Sequence, residues 1–119
     1  MAVIEVGMRS VVYKLIAVGF AAGAVVHAIS GALMAGDIYL YGPDYPAWRH
    51  AVMASVDVGI AVVALVRPAW LIGVLFAQLV EQVVVNGPQP MSFLAVPALV
   101  AALWARGGQG RSLRTNRSD

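Results

Sequence analysis

Three ionisable side chains stand inside segments that are otherwise apolar: His27, Asp57 and Glu81. An imidazole can donate a hydrogen bond to a ligand carbonyl while a carboxylate relays the proton. The same groups are ligands for zinc, manganese or iron, and a histidine can ligate haem iron. Because their spacing matches no HExxH or comparable motif, the residue types leave a quinone or other lipophilic ligand, a haem and a divalent metal all open.

Amide side chains accompany Glu81 at helical spacing. Gln78, Gln82 and Asn86 recur every four residues, which places them on one face of a helix. Such amides can orient a ligand, or they can hydrogen-bond to a neighbouring helix. The predicted ligand-binding or proton-relay residues are His27, Asp57, Gln78, Glu81 and Gln82, with His50 and Asn86 as secondary candidates nearer the ends of their segments.

The composition requires lipid around most of the chain. Hydrophobic residues make up 61% of the 119 residues and charged residues only 12%, about half the charged share of a soluble domain. A soluble protein of this size could not build its polar shell from so few charges. The chain has no cysteine, which excludes disulfides, thiolate metal sites and thiol catalysis.

Four apolar stretches approach the length of ~20 residues that a helix needs to cross the hydrocarbon core. They cover residues 12–35, 48–66, 69–85 and 91–104. We therefore predict an all-α integral membrane protein, with a four-transmembrane-helix bundle over residues 1–106 and a basic cytoplasmic tail over 107–119. Pro97 lies inside the fourth stretch and is predicted to kink it.

Basic residues are distributed unevenly between the two ends of the predicted bundle. One end carries Arg9, Lys14, Arg67 and the tail arginines, whereas the other carries only Arg49. This asymmetry predicts that both termini are cytoplasmic and that the protein is multi-pass in the cell inner (plasma) membrane. The tail arginines are Arg106, Arg111, Arg114 and Arg117.

The first loop and the tail suggest contacts with lipid. Aromatic side chains at the start of the second span are predicted to form a belt at the outer interface. They are Tyr39, Tyr41, Tyr45 and Trp48. The basic tail fits anionic lipid better than nucleic acid. The predicted partners are membrane lipids and either other membrane subunits or further copies of this chain, with no nucleic acid.

The polar residues of three spans are predicted to lie at one depth. His27 comes nine residues before Gly36, and Asp57 comes nine residues after Trp48. Gln78 comes eight residues before Asn86, at the outer end of the third span. At ~1.5 Å per residue, all three lie roughly 12–14 Å below the outer boundary. We interpret this shared depth as a polar layer inside the bundle.

Small residues are predicted to bring a second helix close to His27. Gly19, Gly23 and Gly31 share the four-residue repeat of His27, and such stripes allow close packing of helices in membranes. The packing would bury His27 against a partner. An alternative to a ligand site is then a His27–Asp57 hydrogen bond that only fastens two helices.

Two stretches of the chain resemble the DoxX-like family of small four-helix membrane proteins. One is AGAVVHAISG at Ala22–Gly31, and the other is VDVGIAVVALVRPAWL at Val56–Leu71. The family typically has Glu where Asp57 stands, and the third span, QLVEQVVVN, is more polar than expected of the family. The resemblance implies a membrane subunit or accessory protein, in some members linked to quinone-dependent redox chemistry.

The leading functional prediction is a small membrane subunit that binds a lipophilic ligand or quinone within a larger redox assembly. The first alternative is a structural or assembly subunit without a ligand site. The second is a self-contained membrane enzyme that uses a His/carboxylate acid–base pair or a metal. The cofactor stays open at this point, with quinone and haem as candidates.

Overall fold

Four long helices form the protein in the computed structural model, which describes residues 2–117, and side chains from 7 to 107. The helices are α1 (Ala2–Leu33), α2 (Ala47–Val66), α3 (Pro68–Asn86) and α4 (Val96–Arg117), with 3-10 turns at Met34–Gly36 and Pro90–Phe93. No strand occurs among the described residues. Four helical segments are long and apolar enough to cross a membrane, which confirms the predicted all-α architecture with four candidate spans.

Prolines and glycines set the helix boundaries. Arg67 precedes a proline and leaves the helical region, with φ −136° and ψ 65°, because a residue before proline is driven out of the α conformation. Pro68 then begins α3, where its missing N–H costs no hydrogen bond. Gly87 ends α3 at φ 77°, a conformation that a residue with a side chain rarely adopts. Since only Arg67 separates the end of α2 from the start of α3, the junction between these two helices is very short.

The fourth span is broken before Pro97 rather than at it, which corrects the predicted kink. Pro97 is the second residue of α4, and a proline in the first turn disrupts no helical hydrogen bond. The break lies between the 3-10 turn Pro90–Phe93 and the start of α4 at Val96. Pro97 thus starts a helix instead of bending one.

α1 and α2 pack closely and antiparallel through two of the predicted glycines. A Cβ added to Gly23 would lie 2.9 Å from Asp57 Oδ2, and one added to Gly31 would lie 3.3 Å from His50 Cβ. Gly19 differs, because an added Cβ would meet nothing within 4 Å. Close approach is therefore confined to the part of α1 that faces the polar residues of α2.

An apolar core closes one half of the bundle, where α1 and α3 begin and α2 and α4 end. We call this the junction half, because Arg67 and Pro68 connect α2 to α3 there. Its buried residues come from all four helices: Tyr13, Ile16, Ala17, Ile60, Ala64, Leu71, Leu75, Ala102 and Ala105. The opposite half, which carries the connections 37–46 and 87–95, is called the loop half.

The predicted tail lies at the limit of the described chain. Helix α4 continues through Arg117, so its backbone is helical over most of residues 107–119. The side chains of Arg111, Arg114 and Arg117 lie outside those that the structure describes. Their predicted contact with anionic lipid stays a prediction.

Candidate functional site

A cavity of about 1110 Å³ begins in the loop half of the bundle and extends along α1 and α4 to the edge of the junction-half core. All four helices and the first loop contribute to its lining. The polar residues that line it are His27, Tyr41, Tyr45, Asp57, Gln78, Gln82, Asn86 and Gln89. Most of the remaining lining is aliphatic, so the cavity combines a polar part with an apolar one.

The cavity opens to the outer surface of the bundle. Leu15 on α1 and Leu94 before α4 both line it, and they are 64% and 68% exposed. In a membrane, this surface contacts lipid, as do many other large apolar side chains on the outside of the four helices. A lipophilic molecule could therefore enter from the side.

Asp57 is the most unusual group in this cavity. Only 6% of the residue is exposed, yet it has no hydrogen-bond or ion-pair partner within the described part of the chain. Its Oδ2 is directed at Gly23, whose missing side chain makes room for the carboxylate. A buried carboxylate without a partner is costly, so it needs a proton or a counter-charge.

His27 and His50 form a hydrogen-bonded pair at the loop end of the cavity. Their Nδ1 atoms are 3.0 Å apart, so one ring must donate the hydrogen while the other accepts it. His50 is 2% exposed and lies against Gly31. His50 therefore lies inside the bundle, between α1 and α2. The partner of His27 is His50, and not Asp57 as the alternative interpretation supposed.

Two tyrosines from the first loop cover the histidine pair. The ring centroids of Tyr41 and His27 are 5.1 Å apart in a stacked arrangement, and those of Tyr45 and His50 are 4.4 Å apart. Burial raises the pKa of Tyr45, although the nearby Arg49 opposes that shift, so its phenol stays neutral at physiological pH. Tyr41 and Tyr45 thus face inward, which corrects their predicted place in the aromatic belt.

The other two residues of the predicted belt remain on the surface. Tyr39 and Trp48 are both exposed, and the Tyr39 hydroxyl donates a 3.0 Å hydrogen bond to Asp37. These positions agree with an interfacial location. The first loop therefore divides its aromatic residues between the surface and the cavity.

Glu81 is neutralised by Arg49, which is 32 residues away in the sequence and is brought close by the fold. Arg49 Nη2 donates a 2.9 Å hydrogen bond to Glu81 Oε1, and Gln82 Nε2 donates one of 2.9 Å to Oε2. The Arg49 guanidinium also lies 5.7 Å from the centre of the Tyr45 ring. Glu81 does not line the cavity, so the fold separates it from Asp57.

The amides of α3 interact mainly within their own helix. Asn86 Nδ2 donates a 2.7 Å hydrogen bond to Gln82 Oε1. The contact of these amides with another helix is the weak one from Gln82 Nε2 to Met53 Sδ, at 3.5 Å. Gln78 lines the cavity and has no hydrogen-bond partner among the described residues. Interhelical hydrogen bonding therefore does not explain this polar face.

The predicted polar layer is shifted by one helical turn between α1 and α2. Asp57 lies opposite Gly23, whereas His27 meets His50, so Asp57 is ~6 Å deeper than His27. The prediction treated Gly36 and Trp48 as level with each other. The loop at 37–46 instead joins helix ends of different height, which shifts the register of the two helices.

The structure does not bring the three ionisable candidates together as a metal site. Within the described residues, no group of three or more histidine and carboxylate side chains is placed to hold a metal ion. Instead, His27 pairs with His50, Glu81 pairs with Arg49, and Asp57 has no partner among the described residues. The roles of Arg49, Tyr41 and Tyr45 were missed, and only their position beside the Pro-containing loop could have indicated them.

Comparisons of this chain with protein-family models, with curated proteins and with solved structures each return no match. A function for the chain must therefore be argued from the cavity itself.

Proposed function

We propose that this protein binds a lipophilic molecule with a small polar head group in the cavity of its loop half. The observation that carries the proposal is Asp57, a buried carboxylate without a partner, directed into a mainly apolar cavity. A structural bundle would gain nothing from leaving this group unsatisfied. A ligand head group that binds the Asp57 carboxylate would supply the missing partner.

The cavity suits such a ligand in size and in lining. Its volume of about 1110 Å³ compares with about 300–1000 Å³ for sites that take drug-sized molecules. Few polar groups converge in it, while apolar side chains fill most of its wall. The cavity is partly open, and its exposed lining residues Leu15 and Leu94 would face a molecule that is dissolved in the bilayer.

A quinone is one candidate within this class. The His27–His50 pair and the neutral phenol of Tyr45 could donate hydrogen bonds to a quinone carbonyl. The resemblance of Ala22–Gly31 and Val56–Leu71 to the DoxX-like family supports the same candidate. Under this hypothesis, the protein is a membrane subunit of a larger redox assembly.

The proposed orientation places both termini in the cytoplasm and the first loop outside the inner (plasma) membrane. Arg9, Lys14, Arg67 and Arg106 all belong to the junction half, whereas Arg49 in the loop half is paired with Glu81. An excess of basic residues favours the cytoplasmic side. A reporter enzyme that is active only in the periplasm should be inactive when it is fused to the C-terminus.

A structural or assembly role is the second candidate function. The observation that favours it is the pair of links between helices, His27 with His50 and Arg49 with Glu81. These contacts fix how α1, α2 and α3 are arranged. They do not involve Asp57, so substitutions at Asp57 separate the two candidates.

The test is to identify small molecules that co-purify with the full chain. The wild type, Asp57→Leu and Ser55→Ala would be purified in a gentle detergent, extracted with organic solvent and compared by mass spectrometry. Ser55 is an exposed neighbour on α2 whose hydroxyl bonds only to its own helix, so its substitution is the matched control.

We expect one lipophilic compound in near-stoichiometric amount from the wild type and Ser55→Ala. Its yield should fall by about tenfold in Asp57→Leu. A folded Asp57→Leu protein that retains the compound, or a wild type that holds nothing above the lipid background, would contradict the proposed function. Unrelated chains that co-purify equally with all three proteins would favour the assembly role.

A further inference from the structure

We infer that the molecule bound in this cavity is a lipophilic monocation, whose positively charged nitrogen or equivalent centre lies beside Asp57. This inference rests on the proposed function and specifies the class of its ligand. A long-chain amine or a quaternary ammonium compound with an apolar body would belong to this class.

The charges that line the cavity support a cation. Asp57 is the carboxylate in its lining, and no lysine or arginine side chain is among the described lining residues. The carboxylate of Glu81, the other acidic residue within the predicted site, is paired with Arg49 and lies outside the lining. An ionised Asp57 would therefore give the cavity one uncompensated negative charge, which one positive charge on the ligand would balance.

The energetics of burial favour the same conclusion. A carboxylate that loses much of its water without gaining a partner pays a desolvation cost. Asp57 is 6% exposed as a residue and has no partner in the described structure, although its carboxylate oxygens are not fully enclosed by protein. A cation next to the carboxylate offsets part of that cost, whereas a neutral carbonyl adds a second acceptor and requires Asp57 to carry a proton.

Neighbouring groups also suit a cation. Phe20 lines the cavity three residues before Gly23 on α1, and ring faces attract cations in desolvated sites. The side-chain carbonyl of Gln78 is available as well, since no described residue bonds to it. These groups could surround a positive centre without adding further charge.

The apolar end of the cavity accounts for the lipophilic part of the ligand. Asp57 is level with Gly23, and the lining continues along α1 as far as Val12, a distance of ~16 Å. Over this stretch the cavity is faced by Leu15 and Ile16 of α1 and by Ala98 and Ala101 of α4. The site therefore has room for an apolar body beneath the charged centre.

The test uses two probes of the same shape and opposite charge, tetraphenylphosphonium and tetraphenylborate, with decylubiquinone as a neutral probe. Binding to the purified full chain in detergent would be measured by isothermal titration calorimetry. Asp57→Asn removes the charge and keeps the shape of the side chain. Asp37→Asn is the control that removes one carboxylate from the exposed loop, outside the cavity.

We expect wild type and Asp37→Asn to bind the phosphonium at least about tenfold more tightly than the borate. Asp57→Asn should lose this preference and keep its affinity for decylubiquinone within about threefold. If Asp57→Asn fails to fold, the comparison of phosphonium with borate on the wild type still decides the matter.

Three outcomes would overturn the inference. Equal or weaker binding of the phosphonium relative to the borate by the wild type is the first, and an unchanged preference in Asp57→Asn is the second. The third is a wild type that binds decylubiquinone alone, which overturns the monocation and leaves the proposed function intact. Failure of all three probes to bind would count against the proposed function as well.

Discussion

The two halves of this bundle are built from the same four helices but differ in how their interiors are filled. In the junction half, aliphatic side chains from all four helices interlock and exclude solvent. In the loop half, glycines, amides and ionisable residues face inward, and the helices leave a cavity between them. Because the apolar half holds the helices together, the other half can keep an unsatisfied carboxylate.

The largest effect on stability should come from the junction half. Leu75→Ala removes a side chain that is 0% exposed and leaves a hole in close-packed surroundings, which costs about 2–5 kcal/mol in the free energy of unfolding. Leu94→Ala makes the same chemical change at a residue that lines the cavity and should cost less than about 1 kcal/mol. Thermal unfolding in detergent would measure both. Equal losses would remove the distinction between the halves.

The next effect should be on binding, and it separates a glycine of the cavity wall from one outside it. Gly23→Ala places a Cβ 2.9 Å from Asp57 Oδ2, so the carboxylate must move, and ligand affinity should fall about tenfold. Gly59→Ala on α2 is the matched control, because its Cβ meets nothing within 4 Å and Gly59 does not line the cavity. Calorimetric titration with tetraphenylphosphonium would measure both. Equal affinities in the two variants would show that Gly23 does not position Asp57.

The smallest effect should come from the histidine pair and should depend on pH. The Nδ1–Nδ1 hydrogen bond requires one unprotonated nitrogen as acceptor, so it contributes at neutral pH and is lost when acid charges both rings. His50→Phe should lower stability by about 1 kcal/mol at pH 7 and by less at pH 5. Melting temperatures of both proteins at the two pH values would check this. A difference that grows on acidification would contradict the pairing.

Hydropathy and turn residues were enough to predict the four spans, because length and apolar content decide whether a helix can cross a bilayer. The register between α1 and α2 could not be predicted in this way. It depends on how the loop at 37–46 packs on His27 and His50, which no local pattern encodes. The shift of one turn then gave His27 a different partner and left Asp57 alone.

The same sequence reasoning predicts only part of the candidate site. Asp57, Gln78 and Gln82 stand out because polar residues are costly within apolar spans, and all three line the cavity. Glu81 stands out for the same reason but belongs to an ion pair with Arg49. Which polar residue has a partner is a property of the tertiary contacts, and this is the information that distinguishes Asp57.

The most direct measurement is an experimental structure of the full chain in lipid nanodiscs, determined by cryo-electron microscopy with a rigid binding partner that increases its size. We expect a closed junction half, and elongated non-protein density in the loop half with one end in contact with the Asp57 carboxylate. A loop half in which α1 and α4 close over Asp57, or a cavity that contains only water, would contradict the account.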